Sequence, residues 1–226
     1  MKKNAMEEEG GQGRPPLTEL ELQQGREQIL AVARSLFHRH GYDAVSIRRI
    51  MRETSRSPMM FYRYFPSKRA VIRYLWADIL DAFYTYCEEG AARMSTPRYG
   101  LEMYLRRSIQ YWLDHPSDFK VLYLNPDALE SESNETEPEY FADQPGAYDR
   151  TEYLANLVRE TAAAERLEIM DIELAVQQLI VQILGLSFSI IMIPELPWRD
   201  AGTHIDETIR SMFVTLGLPY PTSDHQ

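Results

Sequence analysis

The sequence has very little cysteine and no stretch that resembles a secretory signal. Cys87 is the only cysteine among 226 residues, which excludes an intrachain disulfide framework and a multi-cysteine zinc site and favours a reducing, cytoplasmic setting. We expect Cys87 to be a small apolar core residue. Residues 1–17 are polar and lack the apolar segment of a signal peptide, so we expect them to form a disordered tail.

Sequence patterns of common enzymes are also missing. The chain contains no Gly-x-Ser-x-Gly, no Gly-x-x-x-x-Gly-Lys and no His-Glu-x-x-His. His38 and His40 lie two positions apart, about 200° around a helix, and do not readily share a metal ion. We therefore expect no catalytic residue, no metal and no cofactor. An enzyme in the C-terminal half is the alternative, which steady turnover of a substrate pool would reveal.

Long hydrophobic runs and alternating strand patterns are scarce. The longest apolar run, Leu179–Ile193, has fifteen residues and contains Gln182, Ser187 and Ser189. It is too short to span a bilayer, so we expect a buried helix and no membrane segment. Helical periodicity is abundant elsewhere, which predicts an all-α protein.

The charge is unevenly distributed along the chain. The formal net charge is -10, yet residues 1–75 carry 14 Lys and Arg against 8 Asp and Glu, whereas the remaining residues carry 10 against 26. Residues 44–75 have eight positive side chains and one negative side chain, Glu53. This segregation indicates that the N-terminal part contacts a polyanion.

Start and stop signals predict three short helices in residues 18–75. Thr18 and Glu21 form a capping box for the first helix, which Gly41 ends. Ser46 is a good N-cap for the second helix, and Ser57 followed by Pro58 begins a third. The apolar positions expected to face a common core are Ile29, Ala33, Leu36, Phe37, Ile47, Ile50, Met51, Phe61 and Phe65. This spacing, with a turn at Thr54–Ser55, is that of a helix-turn-helix unit.

The rest of the chain predicts a larger helical domain, residues 76–226. Ser67 caps a long connecting helix from about 67 to 94, and further helices are expected at about 98–113, 117–124, 147–165, 169–193 and 203–217. Residues 125–146 are acidic, rich in proline and serine, and poorly periodic, which predicts a loose loop.

The third helix carries the features of a DNA-binding surface. With Phe61 and Phe65 turned inward, the residues left outside are Pro58, Met59, Tyr62 and Arg63, with Met60 as a further candidate. Tyr62 and Tyr64 carry hydroxyls that can donate to phosphate oxygens. Positive charge comes from Arg63, Lys68 and Arg69. A helix of this kind fits the major groove of double-stranded DNA.

The same segment resembles the DNA-binding domain of TetR/AcrR bacterial transcription regulators. The resemblance extends from Arg26 to Tyr74 and rests on "ILAVARSLFHRHGYDAVSIRRI" and "FYRYFPSKRAVI". It implies that Pro58, Met59 and Met60 approach bases. It also implies that Tyr62, Tyr64 and Lys68 touch phosphates, while Ser46 and Arg48 help to position the backbone.

Two departures from the family pattern stand in the turn and in the third helix. Ser55-Arg56 replaces a usual Gly-Val pair, so a left-handed turn would cost more than with glycine, and we expect Arg56 to reach a phosphate. Met59-Met60 replaces a small residue followed by threonine, which favours apolar contact with thymine methyl groups.

The resemblance implies a homodimer and a small-molecule effector. The helices at about 169–193 and 203–217 are expected to form half of a four-helix interface, with a purely intrachain core as the alternative. Aromatic side chains suit a bulky apolar or aromatic effector. The candidate pocket residues are Phe83, Tyr104, Tyr111, Trp112, Tyr123 and Phe188.

The expected function is that of a dimeric repressor bound to a palindromic operator and released by the effector. A second alternative is that residues 46–73 bind another anionic surface, such as lipid. That alternative requires a continuous amphipathic basic helix, whereas Pro58 and Pro66 divide this segment.

Overall fold

The protein is all-helical wherever its structure is described. The computed structural model describes residues 18–124 and 147–221, and within them the chain forms eight α helices and one 3₁₀ helix. In chain order these are α1 (Glu19–His40), α2 (Ile47–Glu53), the 3₁₀ helix (Pro58–Arg63), α3 (Lys68–Ala91), α4 (Pro97–Asp114), α5 (Pro116–Tyr123), α6 (Ala147–Ala164), α7 (Ile172–Met192) and α8 (Ala201–Thr215). The predicted tail, residues 1–17, and the predicted loop, residues 125–146, lie outside the described residues.

Helix α1 begins and ends where its capping residues predict. The Thr18 Oγ1 accepts a hydrogen bond from the Glu21 backbone N–H at 3.3 Å, and the Glu21 carboxylate accepts from the Thr18 N–H at 2.8 Å. Gly41 ends the helix with φ of +76° and donates its N–H to the Phe37 carbonyl. The predicted apolar stripe of α1 is confirmed, since each of its four members is buried: Ile29, Ala33, Leu36 and Phe37.

The first three helical elements share one small core. Ile50 and Met51 of α2 and Phe61 of the 3₁₀ helix have no exposed surface, and Phe65 is 1% exposed. The Phe61 and Phe65 rings lie 5.9 Å apart between centroids. This core orients α2 and the 3₁₀ helix relative to α1.

Helix α3 connects this small core to the larger helical part. The Ser67 Oγ accepts from the Ala70 N–H at 3.0 Å and so caps the helix as predicted. The helix ends at Ala91, three residues before the predicted end at Met94. Its C-terminal half packs against α4, which α6, α7 and α8 surround on its other sides.

The largest difference from the sequence prediction concerns α7. The helix has 21 residues and begins before the fifteen-residue apolar run. By length and composition alone it is long and apolar enough to cross a membrane. The prediction of a buried helix is wrong for the single chain, because only 22% of the most apolar window of α7 is buried. One side packs inward through Val176, Leu179 and Ile183, while Val181 is 62% exposed and Phe188 is 44% exposed.

Candidate nucleic-acid interface

The turn between α2 and the 3₁₀ helix is tight and strained. Ser55 has φ of +55°, a left-handed conformation that costs a residue with a Cβ roughly 1–2 kcal/mol. The Arg56 N–H donates to the Met51 carbonyl at 3.0 Å, and the Thr54 hydroxyl donates to the same carbonyl at 2.8 Å. The expected conflict between serine and a left-handed turn is therefore present, and two hydrogen bonds to one carbonyl hold the turn.

The element after the turn is a 3₁₀ helix, a correction to the ordinary helix predicted from Ser57 onward. Pro58 occupies its first position, but the Ser57 side chain makes no capping hydrogen bond. The Met60 N–H instead donates to the Ser57 backbone carbonyl at 3.0 Å. Tighter winding changes the direction of the residues at the end of the element, Tyr64 above all.

The outer side of the 3₁₀ helix is apolar and aromatic. Met59 is 80% exposed and Tyr62 is 62% exposed, and Pro58 lies beside them at the surface. Met60 and Arg63 are half-buried, with Arg63 Nη1 4.0 Å from Met60 Sδ. This recognition surface (Pro58, Met59 and Tyr62) is where the sequence predicted base and phosphate contacts.

Helix α2 contributes exposed cations and one pair that the sequence did not suggest. Arg48 and Arg52 are exposed. The Ser46 hydroxyl accepts from the Arg49 N–H at 3.3 Å, so it acts as a cap. Arg49 Nη2 lies 2.7 Å from His40 Nε2. Because arginine keeps its protons, this His40 nitrogen accepts in that contact.

Tyr64, one of the predicted phosphate contacts, lies against α1. Tyr64 is 5% exposed and packs so closely on α1 that a Cβ at Gly25 would clash with Tyr64 Cε1. Arg26 Nε donates to the Tyr64 carbonyl at 3.1 Å. Tyr64 therefore joins the 3₁₀ helix to α1. A glycine within the α1 sequence was the available signal, since an interior glycine often marks close packing.

Lys68 and Arg56 are also engaged with the fold. Lys68 Nζ donates to the Tyr42 and Val45 carbonyls at 3.1 and 3.2 Å and lies 3.7 Å from the Tyr42 ring centroid. The Arg56 guanidinium lies 5.6 Å from the Tyr64 ring centroid, with a buried Nη1 that has no hydrogen-bond partner among the described residues. Both cations contact their own domain in the chain without DNA, and the contact of Arg56 with a phosphate stays a prediction.

The six candidate pocket residues do not form one group. Phe83 stacks on Trp112 with centroids 4.7 Å apart, and Tyr111 and Tyr123 meet the Trp112 ring at 5.1 and 5.6 Å. We call these four residues, with Phe119, the aromatic cluster.

The other two candidates lie elsewhere. Tyr104 stacks instead on Tyr153 at 5.8 Å, and burial raises its pKa. Phe188 lies on the exposed side of α7. Four of the six candidate pocket residues are therefore in mutual contact, and their role in binding an effector stays a prediction.

Cys87 is the core residue that the sequence predicted. It has no exposed surface, and its sulfur lies 3.5 Å from the Ser108 Oγ. Burial raises the pKa of the thiol to about 12, so the thiol stays protonated at neutral pH. Among the described residues, no group of three or more His, Cys, Asp and Glu side chains is placed to hold a metal ion.

Comparison with known proteins agrees with this geometry. Residues 29–75 match the family described as bacterial regulatory proteins, tetR family. No curated protein matches the chain.

Solved structures share the overall fold. A tetR-family regulatory protein from Rhodococcus RHA1 superposes with a TM-score of 0.66 at 16% identity, covering 87% of this chain and 98% of that one. The regulator FadR from Bacillus subtilis, in complex with stearoyl-CoA, gives 0.65 at 14% identity over 82% and 96%. The ketosteroid transcriptional regulator KstR2 of Mycobacterium tuberculosis gives 0.53 at 16% identity over 85% and 93%.

The fold and the exposed recognition surface define a helix-turn-helix DNA-binding protein with a larger helical C-terminal part. Its N-terminal domain is that of the TetR family, and its overall fold is that of TetR-family structures. Residues 29–75 thus form a TetR-type helix-turn-helix domain within an overall fold that TetR-family transcriptional regulators share.

Proposed function

We propose that the protein represses transcription by binding an inverted-repeat operator as a homodimer, and that a small molecule releases it. The recognition surface carries this proposal. It presents an exposed methionine and an exposed tyrosine beside exposed arginines of α2, on elements that a buried core holds in place.

The recognition surface suits the major groove. Met59 is 80% exposed, and an apolar side chain there favours contact with thymine methyl groups. The Tyr62 hydroxyl and the Arg48 guanidinium suit phosphate oxygens on either side. Pro58, with no N–H to satisfy, begins the element and allows close approach to the groove.

The homodimer is supported by the exposed apolar side of α7 and α8. Leu174, Val181 and Phe188 of α7 are 50%, 62% and 44% exposed, and Val214 of α8 is 73% exposed. Large exposed apolar surfaces on soluble proteins mark interfaces. A second copy of the chain, packed through α7 and α8, would cover them and would place two recognition surfaces on a two-fold operator.

The effector proposal rests on the aromatic cluster. Phe83, Tyr111 and Trp112 are buried within the C-terminal part, and Tyr123 is 39% exposed. Such side chains suit a bulky apolar or aromatic ligand. Two of the proteins with this fold are a regulator in complex with stearoyl-CoA and a ketosteroid regulator, which supports an apolar ligand here.

Selection of bound duplexes from a random DNA pool at two salt concentrations tests the operator proposal. We expect an enriched inverted repeat and a steep loss of affinity with salt. Salt-sensitive binding without an enriched motif would contradict operator recognition, as would equal binding to anionic liposomes.

Met59→Ala tests the groove assignment. We expect altered preference at particular base pairs, with a loss of about 1–3 kcal/mol for each lost base contact. Met170→Ala is the matched control, because Met170 is 97% exposed at the α6–α7 connection. An unchanged base preference in Met59→Ala would remove Met59 from the readout.

A further inference from the structure

A buried carboxylate at the start of α5 binds two side chains of α1. Asp118 is 3% exposed. Arg34 approaches it with two nitrogens, Nη2 at 2.5 Å from Oδ2 and Nε at 3.2 Å from Oδ1. His38 Nε2 lies 2.7 Å from Oδ1. The three residues, which we call the Asp118 cluster, join positions 84 and 80 residues apart in the chain.

The Asp118 cluster connects the two functional parts of the molecule. Arg34 and His38 lie on the helix whose inner side forms the core of the DNA-binding domain, whereas Asp118 belongs to the C-terminal part. A two-nitrogen contact between guanidinium and carboxylate fixes orientation as well as distance. Because the Asp118 carboxylate is out of water, loss of its partners would leave a buried charge unpaired. The free-energy cost of that unpaired charge opposes separation of α1 from α5.

The next residue of α5, Phe119, belongs to the aromatic cluster. The Phe119 ring meets the Trp112 ring with centroids 5.7 Å apart, and the Tyr123 ring lies 4.8 Å from the Phe119 ring. The Trp76 indole N–H donates to the Val121 carbonyl at 3.0 Å, which ties the end of α5 to α3. Helix α5 thus contributes Phe119 to the aromatic cluster and the adjacent Asp118 to the contact with α1.

We propose that Asp118 is a positioning residue that sets the orientation of the DNA-binding domain relative to the C-terminal part, and that α5 transmits displacement of the aromatic cluster to α1 through it. One consequence of this inference rests on the proposed function: in a homodimer, Asp118 would fix the distance between the two recognition surfaces. The contact itself lies within one chain and is testable without DNA.

The first test measures amide hydrogen exchange of the full chain in Asp118→Asn, at a temperature where the variant is fully folded. Loss of the carboxylate charge should speed exchange at residues 34–40 by roughly tenfold or more, because this end of α1 then opens locally. Glu165→Gln is the matched control. It removes the 3.1 Å ion pair with Arg98, whose two residues both lie in the C-terminal part, and should leave α1 unchanged. Unchanged exchange in Asp118→Asn would overturn the linkage.

Two further variants keep this test decisive if Asp118→Asn does not fold. Arg34→Met removes the two-nitrogen contact and leaves His38 in place, so it should also speed exchange in α1. His38→Gln retains a donor for Asp118 and should have the smaller effect. Larger effects for His38→Gln than for Arg34→Met would contradict the assigned geometry.

The second test concerns the operator and distinguishes positioning from simple stabilisation. The probes are the inverted repeat selected from the random pool and duplexes in which its half-site spacing is one or two base pairs longer. Wild-type protein should discriminate against the altered spacings. Asp118→Asn should lose at least about half of that discrimination, on a logarithmic scale, while keeping its base preference. An equal spacing penalty in folded Asp118→Asn would overturn the positioning role.

The two tests separate this inference from the proposed function. Faster exchange in α1 without any selected motif would contradict the operator proposal and would leave the contact between α1 and α5 supported. A selected motif together with unchanged exchange would support the operator proposal and overturn the role of Asp118.

Discussion

The DNA-binding domain and the C-terminal part use their side chains in opposite ways. In the N-terminal domain, cations that resemble ligands for DNA are engaged with the fold, as Lys68 is with two backbone carbonyls. In the C-terminal part, apolar side chains that resemble core residues lie at the surface, as Val181 does on α7. Residue type alone therefore does not show where a side chain lies, because that depends on what the neighbouring elements cover.

The exposed apolar side of α7 offers the largest expected effect. Val181→Asp places a charge where a second subunit is proposed to pack, so the dimer dissociation constant should rise by on the order of a hundredfold, equivalent to about 3 kcal/mol. Sedimentation equilibrium measures this change.

Leu20→Asp is the control for that substitution. Leu20 is 64% exposed in the first turn of α1, away from α7, so its replacement should leave the association unchanged. A wild-type protein that is monomeric at micromolar concentration would contradict the proposed interface.

A comparison of Lys68→Ala with Arg48→Ala sharpens the contrast between cations in the DNA-binding domain. Lys68→Ala removes two charged hydrogen bonds to carbonyls and should lower the free energy of unfolding by about 1.5–3 kcal/mol. Arg48→Ala removes an exposed cation, so stability should hold within about 0.5 kcal/mol. Its loss should instead weaken operator binding on all sequences and reduce the salt slope by about one.

Chemical denaturation and binding titrations over several salt concentrations make that comparison. If Lys68→Ala weakens DNA binding without loss of stability, then its ammonium contacts phosphate directly. The contacts with Tyr42 and Val45 would in that case be secondary to DNA binding.

Ser55→Gly has the smallest expected effect and the opposite sign. Glycine adopts φ of +55° without the Cβ penalty, although it gains more freedom in the unfolded chain. We expect the free energy of unfolding to rise by about 0.5–1 kcal/mol, measured by thermal or chemical denaturation. Ser57→Gly is a suitable control, since Ser57 has φ of -69° and should lose stability from the same replacement.

Local signals allowed most helix boundaries to be predicted. Thr18, Ser46 and Ser67 each accept a backbone N–H at the start of a helix, and Gly41 ends α1 with a positive φ. Such signals depend on residues within one turn of one another. The 3₁₀ geometry after Ser57 was missed because proline at the first position is compatible with both kinds of helix.

Contacts between distant residues were beyond the sequence. The burial of Tyr64 depends on Gly25 of α1, and the partner of Asp118 lies 84 residues away. The exposure of Met59 and Tyr62 was predicted correctly, because it follows from turning Phe61 and Phe65 inward. The sequence did not show that Tyr104 and Phe188 lie apart from the aromatic cluster, since the residue type does not reveal where an aromatic side chain points.

The Asp118 cluster has a consequence for protein engineering. A chimera that joins residues 18–75 to the C-terminal part of another regulator carries Arg34 and His38 but replaces their acceptor. Unless the C-terminal part of the other regulator supplies a carboxylate at the start of the corresponding helix, Arg34 and His38 have no acceptor where the two parts meet. The boundary at which the sequence family ends, residue 75, is therefore a poor place to cut. A chimera that combines this DNA-binding domain with another C-terminal part would therefore need to keep an aspartate at the position equivalent to Asp118.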